Sequence, residues 1–294
     1  MLYKLTSDED LTILVDTLGG ELKSIKCLGD EILWNGDSEA FPATAPNLFP
    51  FVGRLYKGKY TLDGNDYPMG IHGFLSQKEM TVSHMGKDRL TLELTDDEDT
   101  YQIYPYLFTL SIEYILEHNT VSVNYTVKNN DCKKTMYFSL GGHPGFLLDF
   151  GKTGCFSDYY IEFSKECTPE RFLWDEDGLW KGTVRFEGLK DDCRFYLDKE
   201  LFRNDAIVLG GTPGTLKIRC RYNTKYVSVS YSDFPLVGIW HPYITDDPFI
   251  CIEPWFGLPG RKETVEKLDS KPYTIKLDPL GEKKLSWAIS LENR

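Results

Sequence analysis

The sequence predicts an all-β fold, a large antiparallel β-sandwich, as one domain over residues 1–294. Three observations predict it. Apolar and polar residues alternate with period two in many short runs. Turn-forming residues recur at intervals of about ten positions, and sustained helical periodicity is nearly absent. No linker, repeat or low-complexity segment divides the chain.

The elements follow in order. Leu11 to Val15 is a β-rich run, turned by Gly19-Gly20 into Leu22 to Cys27. Tyr60 to Tyr67 carries Asp63-Gly64 at its centre, the signature of a tight hairpin because both residues tolerate positive φ. Met80 to His84 and Arg89 to Leu94 flank a four-residue turn, and Leu90, Leu92 and Leu94 put one apolar face on the second arm. Leu107 to Leu116 and Thr120 to Val127 form a longer hairpin through His118-Asn119, with Val121, Val123, Tyr125 and Val127 on one face. Further strands are expected at Lys217 to Arg221, Tyr226 to Tyr231, Val237 to Trp240, Tyr273 to Leu277 and Lys284 to Leu291. Pro169 to Trp174 and Lys262 to Leu268 are read as short helical turns.

Composition narrows the function. The net charge of −12 excludes the basic footprint that nucleic-acid phosphates demand and a polybasic membrane anchor. A hydrophobic fraction of 41% suits a packed globule. No apolar run approaches the roughly 20 residues of a membrane helix, and the first residues lack the pattern of a signal peptide. The seven cysteines are an odd number without a CxxC pair, so neither a disulfide framework nor a zinc site is expected. These features point to a reduced, cytoplasmic protein.

Candidate chemistry lies in a few segments. His72 stands in Gly70-Ile71-His72-Gly73-Phe74, and His143 in Gly142-His143-Pro144-Gly145-Phe146. The flanking glycines permit left-handed backbone and close ligand approach, although a lone histidine beside glycine is more often a turn residue than a catalyst. Glu253 ends an apolar β run in Cys251-Ile252-Glu253-Pro254-Trp255. It either reaches solvent or is buried at a cost that pairing or function must offset. Asp205 precedes the apolar run Ala206 to Leu209 and reads locally as a turn former. Arg54 follows an apolar stretch and reads as mostly buried, serving an ion pair or a ligand. His84 and His118 look solvated, His241 carries no functional signal, and Asp246-Asp247 with His241 is a weak metal pattern. Trp255, Phe256 and Phe74 lie beside the polar candidates. Aromatic faces next to His, Arg and carboxylates suit a sugar, though such rings are also ordinary core. There is no GxGxxG, GxxxxGK[ST] or GxSxG motif.

Taken in order, Asn47, Gly53-Arg54, His72-Gly73-Phe74, Gly142-His143-Pro144-Gly145-Phe146, Asp205 and Cys251-Ile252-Glu253-Pro254-Trp255 resemble the aldose 1-epimerase (mutarotase) family, and within it the LacX-like subgroup. The likeness extends to Gly281-Glu282 and Trp287. It implies a galactose mutarotase-like supersandwich with a sugar cleft across one sheet. It also implies Glu253 as general base, His143 as general acid, and Arg54, His72, Asp205 and Trp255 as substrate-binding residues. The partner implied is a small-molecule sugar, with no cofactor and no metal. The sequence departs from the galactose mutarotase pattern around His143, at Ala206 after Asp205 and at Pro254-Trp255, and the clustered arginines of the hexose-6-phosphate branch are not evident, with Lys57 and Lys59 near Arg54 the only reservation. A non-catalytic sugar-binding protein and a glycoside hydrolase using Glu253 with Asp205 are the rival readings.

Overall fold

The computed structural model describes residues 1–8, 10–27, 29–148 and 154–293. Every strand pairing in the named sheets is antiparallel. A nine-stranded sheet has the long hairpin Phe108–Glu117 and Thr120–Asn129 near one end and the final strand Glu282–Asn293 at its centre. An eight-stranded sheet is centred on Leu236–Trp240 and Phe249–Phe256. A four-stranded sheet is built from the first 31 residues. One continuous apolar core joins them. It includes Val121, Val123, Tyr125, Ile289 and Trp287 from the larger sheet and Val237, Ile239, Ile250 and Ile252 from the smaller.

The period-two runs become strands because alternate side chains fill this core. In Thr120–Asn129 the residues Val121, Val123, Tyr125 and Val127 are buried, while the alternating Thr120, Ser122, Asn124 and Thr126 are half-covered and Lys128 is exposed. Asp63 and Gly64 both take positive φ (51° and 81°), and Leu62 pairs with Asn65 across the tight turn the dipeptide predicts. Two expectations are corrected. Glu170–Trp174 is a strand, because Phe172 and Trp174 alternate with Arg171 and Leu173 and both edges find partners, at Trp180–Arg185 and Ile207–Gly210. Residues 262 to 267 are irregular, and only Leu268–Ser270 forms a 3₁₀ turn. One short helix, Glu98–Ile103, was not anticipated; Asp97 and Thr100 cap its start reciprocally. No helix among the described residues is long and apolar enough to cross a membrane.

Asn47 anchors the smaller sheet to the larger. Buried at 3% exposure, its amide nitrogen donates to the carbonyls of Gly19 (3.1 Å) and Gly20 (2.9 Å), and its oxygen accepts from the Tyr125 hydroxyl at 2.6 Å. The Trp287 indole N–H donates in turn to Tyr125 Oη at 3.1 Å. The backbone of Asn47 pairs with Gly142, next to His143. Replacing Asn47 with Leu is expected to destabilise the protein by about 1–3 kcal/mol for each polar group it strands. Urea unfolding of the variant measures this directly.

Candidate active site

The strand Phe249–Phe256 serves two faces. Ile250 and Ile252 point into the sandwich core, while Cys251, Glu253 and Trp255 point to the other side of the sheet. There they meet loops rather than a second sheet. Gly238 lies directly across from Glu253 on the neighbouring strand, and a Cβ at this position would come within 3.2 Å of Glu253 Cβ. The absent side chain leaves room above the carboxylate.

His143 reaches the same spot from the turn between Leu140–Gly142 and Gly145–Leu147. Both strands pair with Phe249–Phe256, with Leu140 opposite Phe256 and Gly145 opposite Cys251. Ile252 N–H donates to the Pro144 carbonyl at 3.1 Å, and His143 N–H donates to that of Pro46 at 2.9 Å. The ring stacks on Phe41 (centroids 4.9 Å apart) and meets the edges of Trp240 and His72. Its Nε2 approaches Glu253 Oε2 to 3.2 Å, out of line for a hydrogen bond, so Oε2 remains a buried acceptor without a partner among the described residues.

Glu253 is 1% exposed and His143 9%. Burial, and then the charge of Asp205, pushes the Glu253 carboxyl well above its usual range. Burial, and then neighbouring His72, holds the His143 imidazole well below its own. Both shifts disfavour charge, so across a broad pH window the pair carries one proton between two adjacent atoms.

His72 stands in left-handed conformation (φ 60°). Its N–H donates to the Gly53 carbonyl at 3.0 Å, and Gly53 N–H donates to its Nδ1 at 3.1 Å. Because Nδ1 accepts, the neutral ring carries its hydrogen on Nε2. Burial and the nearby Arg54 charge lower its pKa to about 4. His72 is therefore expected to stay neutral well below pH 6, as an NMR titration of its ring resonances would show. The unfolded chain protonates this histidine at its ordinary value near 6.5 while the folded chain does not. Stability contributed at this site is thus lost as pH falls from about 6.5 toward 4, and His72→Gln removes that dependence.

These residues line a cleft of about 300 Å³ that also takes in Arg54, Asp205 and Trp255. All six residues expected from the sequence thus border one cavity. Asp205 does so as an exposed turn residue with φ 73°, its carboxylate accepting from Ala206 N–H at 2.9 Å, so both readings of it describe the same residue. Arg54 is exposed, not buried as the apolar stretch before it suggested. Arg54 and Asp205 both abut Gly178, where a Cβ would lie 3.3 Å from Asp205 Oδ2 and 3.6 Å from Arg54 Nε.

Sequence reasoning missed Phe41, Trp174 and Trp240, which complete the cleft wall. Trp174 was hidden in a segment read as helical, and Trp240 read as an ordinary strand end. Phe74 and Phe256 turn away; Phe74 packs in the core against Phe49 and Tyr104. His84 and His118 are exposed, as expected. His241 is buried in a separate cavity beside Asp246 and Asp247, its ring nitrogens facing the carbonyls of Phe249 and Thr245. Asp246 is paired with Lys199. Lys59 pairs with Asp66, and Lys57 lies over the Tyr56 ring. The one trio of metal-capable donors found among the described residues is His143, Cys251 and Glu253.

With this geometry in place, the comparison with known proteins is decisive: the family model for aldose 1-epimerase matches residues 1–267. The chain belongs to the aldose 1-epimerase family. Its similarity to the chromosomal LacX protein of Lactococcus lactis subsp. lactis is 32% identity, covering 97% of this chain and 98% of that one. Among solved structures, a galactose mutarotase related enzyme from Lactobacillus acidophilus superposes with a TM-score of 0.93 at 29% identity, covering 100% of this chain and 98% of its own. A galactose mutarotase-like protein from Lactobacillus casei gives the same TM-score at 26% identity, covering 99% and 100%. The aldose 1-epimerase assignment accounts for the fold.

Proposed function

We propose that this member of the family is an active mutarotase, an isomerase that interconverts the α and β anomers of an aldose by opening and reclosing the ring. The observation that carries the reading is the 3.2 Å approach of His143 Nε2 to Glu253 Oε2 at the floor of a monosaccharide-sized, Trp-walled cleft. Ring opening removes a proton from O1 and delivers one to O5, two oxygens on the same carbon. One base and one acid side by side match that demand. The pair's proton, which burial leaves on Glu253, first passes to His143 Nε2 across their 3.2 Å contact; Glu253 then takes the O1 proton, His143 protonates O5, the C1–O5 bond breaks, C1–C2 rotates, and the two groups exchange roles on closure. The single proton held by the pair is the one this cycle needs.

The His72 Nε2–H points a neutral donor toward the sugar. The rings of Trp255, Trp240 and Trp174 offer faces for its C–H surface. Arg54 and Asp205, side by side at Gly178, hold hydroxyls at the rim. Acid–base ring opening draws on no cofactor. The seven free thiols fit action in a reducing cytoplasm, with residues 1–294 forming one domain.

Polarimetry of freshly dissolved α-glucose and α-galactose, with and without the protein, tests the reading. Faster approach to the same final rotation is expected with at least one aldose. Thermal stabilisation by the sugars without any rate change would instead identify a binding protein.

A further inference from the structure

We propose that a zinc-type divalent transition metal binds His143, Cys251 and Glu253 and reversibly shuts the site. Donor atoms from these three residues lie within 4.8 Å of one another. Their convergence is set by the backbone. Cys251 and Glu253 are two apart on one strand and so share a face, while Gly145 pairs with Cys251 and Pro144 accepts from Ile252 N–H, which pins His143 above them.

Tetrahedral zinc, with Zn–S near 2.3 Å and Zn–N and Zn–O near 2.0–2.2 Å, sets its donors about 3.3–3.8 Å apart. Side-chain rotations of roughly 1 Å therefore close the set. The donors are one thiolate, one imidazole and one carboxylate. That mixture selects zinc, cobalt or nickel over magnesium or calcium, which take oxygen shells. Two anionic ligands neutralise the divalent charge in an apolar setting made by Phe41, Trp34 and Phe249.

A second observation also points to a ligand. Glu253 Oε2 is buried on a side chain 98% covered and, although 3.2 Å from His143 Nε2, completes no aligned hydrogen bond among the described residues. Coordination displaces two protons to solvent, that of the thiol and the one held by the His143–Glu253 pair. The fourth position opens to the cleft, where it holds water or a sugar hydroxyl. The metal occupies the lone pairs of both groups assigned to proton transfer, so it inhibits; that consequence rests on the mutarotase reading, whereas the binding site does not.

The test uses the full chain carrying Cys132→Ser and Cys155→Ser, which removes the two exposed thiols. Added Co²⁺ is expected to give a near-ultraviolet thiolate-to-cobalt band that Cys251→Ser abolishes. Zn²⁺ is expected to slow anomer exchange, with EDTA restoring it, and Cys251→Ser should require at least about tenfold more Zn²⁺ for equal inhibition. X-ray absorption of the zinc-loaded protein should show one sulfur scatterer near 2.3 Å, a readout that needs neither a variant nor activity. Absence of that sulfur, or a cobalt band unchanged by Cys251→Ser, overturns the proposal. A protein that binds cobalt through Cys251 yet leaves every aldose unaltered overturns the mutarotase reading alone.

Discussion

Glu253→Gln and His143→Asn are each expected to slow anomer exchange by about 10²–10⁴-fold while the far-ultraviolet circular dichroism stays that of the parent. The magnitude is that of one lost proton transfer, or about 3–5 kcal/mol of barrier. The double variant should be little slower than the worse single one, because both groups act in one concerted exchange. The rate should be bell-shaped in pH. It falls on the acid side when the pair takes up a second proton and on the alkaline side when it loses its only one. Glu253→Gln also has an expected gain. The buried carboxyl titrates above its unfolded value, so the parent is favoured below about pH 4.5 and loses stability as pH rises through the folded pKa. The glutamine variant does not titrate, and its Tm should exceed the parent's most at alkaline pH. Equal rates in parent and variants would remove the acid–base assignment.

Lys271→Ala is expected to cost up to about 3–5 kcal/mol, the penalty for breaking a buried ion pair, since Glu266 then keeps only the longer contact of 3.8 Å to the half-exposed Arg261. The Lys271 side chain is 1% exposed and that of Glu266 6%, with Nζ and Oε2 3.3 Å apart. Nζ also donates to the carbonyls of Leu258 (2.6 Å) and Pro259 (3.2 Å). A drop in Tm on the order of 10 °C follows for a chain of this size. Lys271→Met combined with Glu266→Gln should recover part of it, because neither charge is then stranded. The same loop borders the cleft. Gly260 N–H donates to the Arg54 carbonyl at 2.6 Å, and Pro259 packs so tightly on Gly53 that a Cβ there would meet its ring at 2.4 Å. The destabilised variant should therefore show a raised KM, since Arg54 and His72 both depend on that segment. Unchanged melting would mean that the pair contributes nothing to the fold.

Most strands were legible because burial on one face of a sheet leaves a period-two record, as in Val121 to Val127. Glu253 and His143, which the fold brings together in one cleft, stood out as candidates for different reasons. The first is a carboxylate placed where an apolar strand has no use for one, and the second is a histidine framed by glycines and proline. The wall aromatics were not legible, because Phe41, Trp174 and Trp240 lie in unrelated segments and their nearness exists only after folding. Glu170–Trp174 was misread because five residues are too few to separate one helical turn from one strand, and one of its two pairing partners, Ile207–Gly210, lies far along the chain. Arg54 deceived for a related reason. The apolar residues before it serve the core, and Gly53 and Leu55 on either side of it are buried, but the Arg54 side chain alone turns outward into the cleft.

The strand carrying Cys251, Glu253 and Trp255 has interior packing on its reverse side. Any replacement that reshapes this floor also disturbs Ile250 and Ile252, so natural variation there is penalised twice. The surrounding loops bear no such double duty. On the proposed mutarotase reading, differences in the sugar taken should accordingly gather around Phe41, Arg54, Trp174 and Asp205, above a floor that stays unchanged.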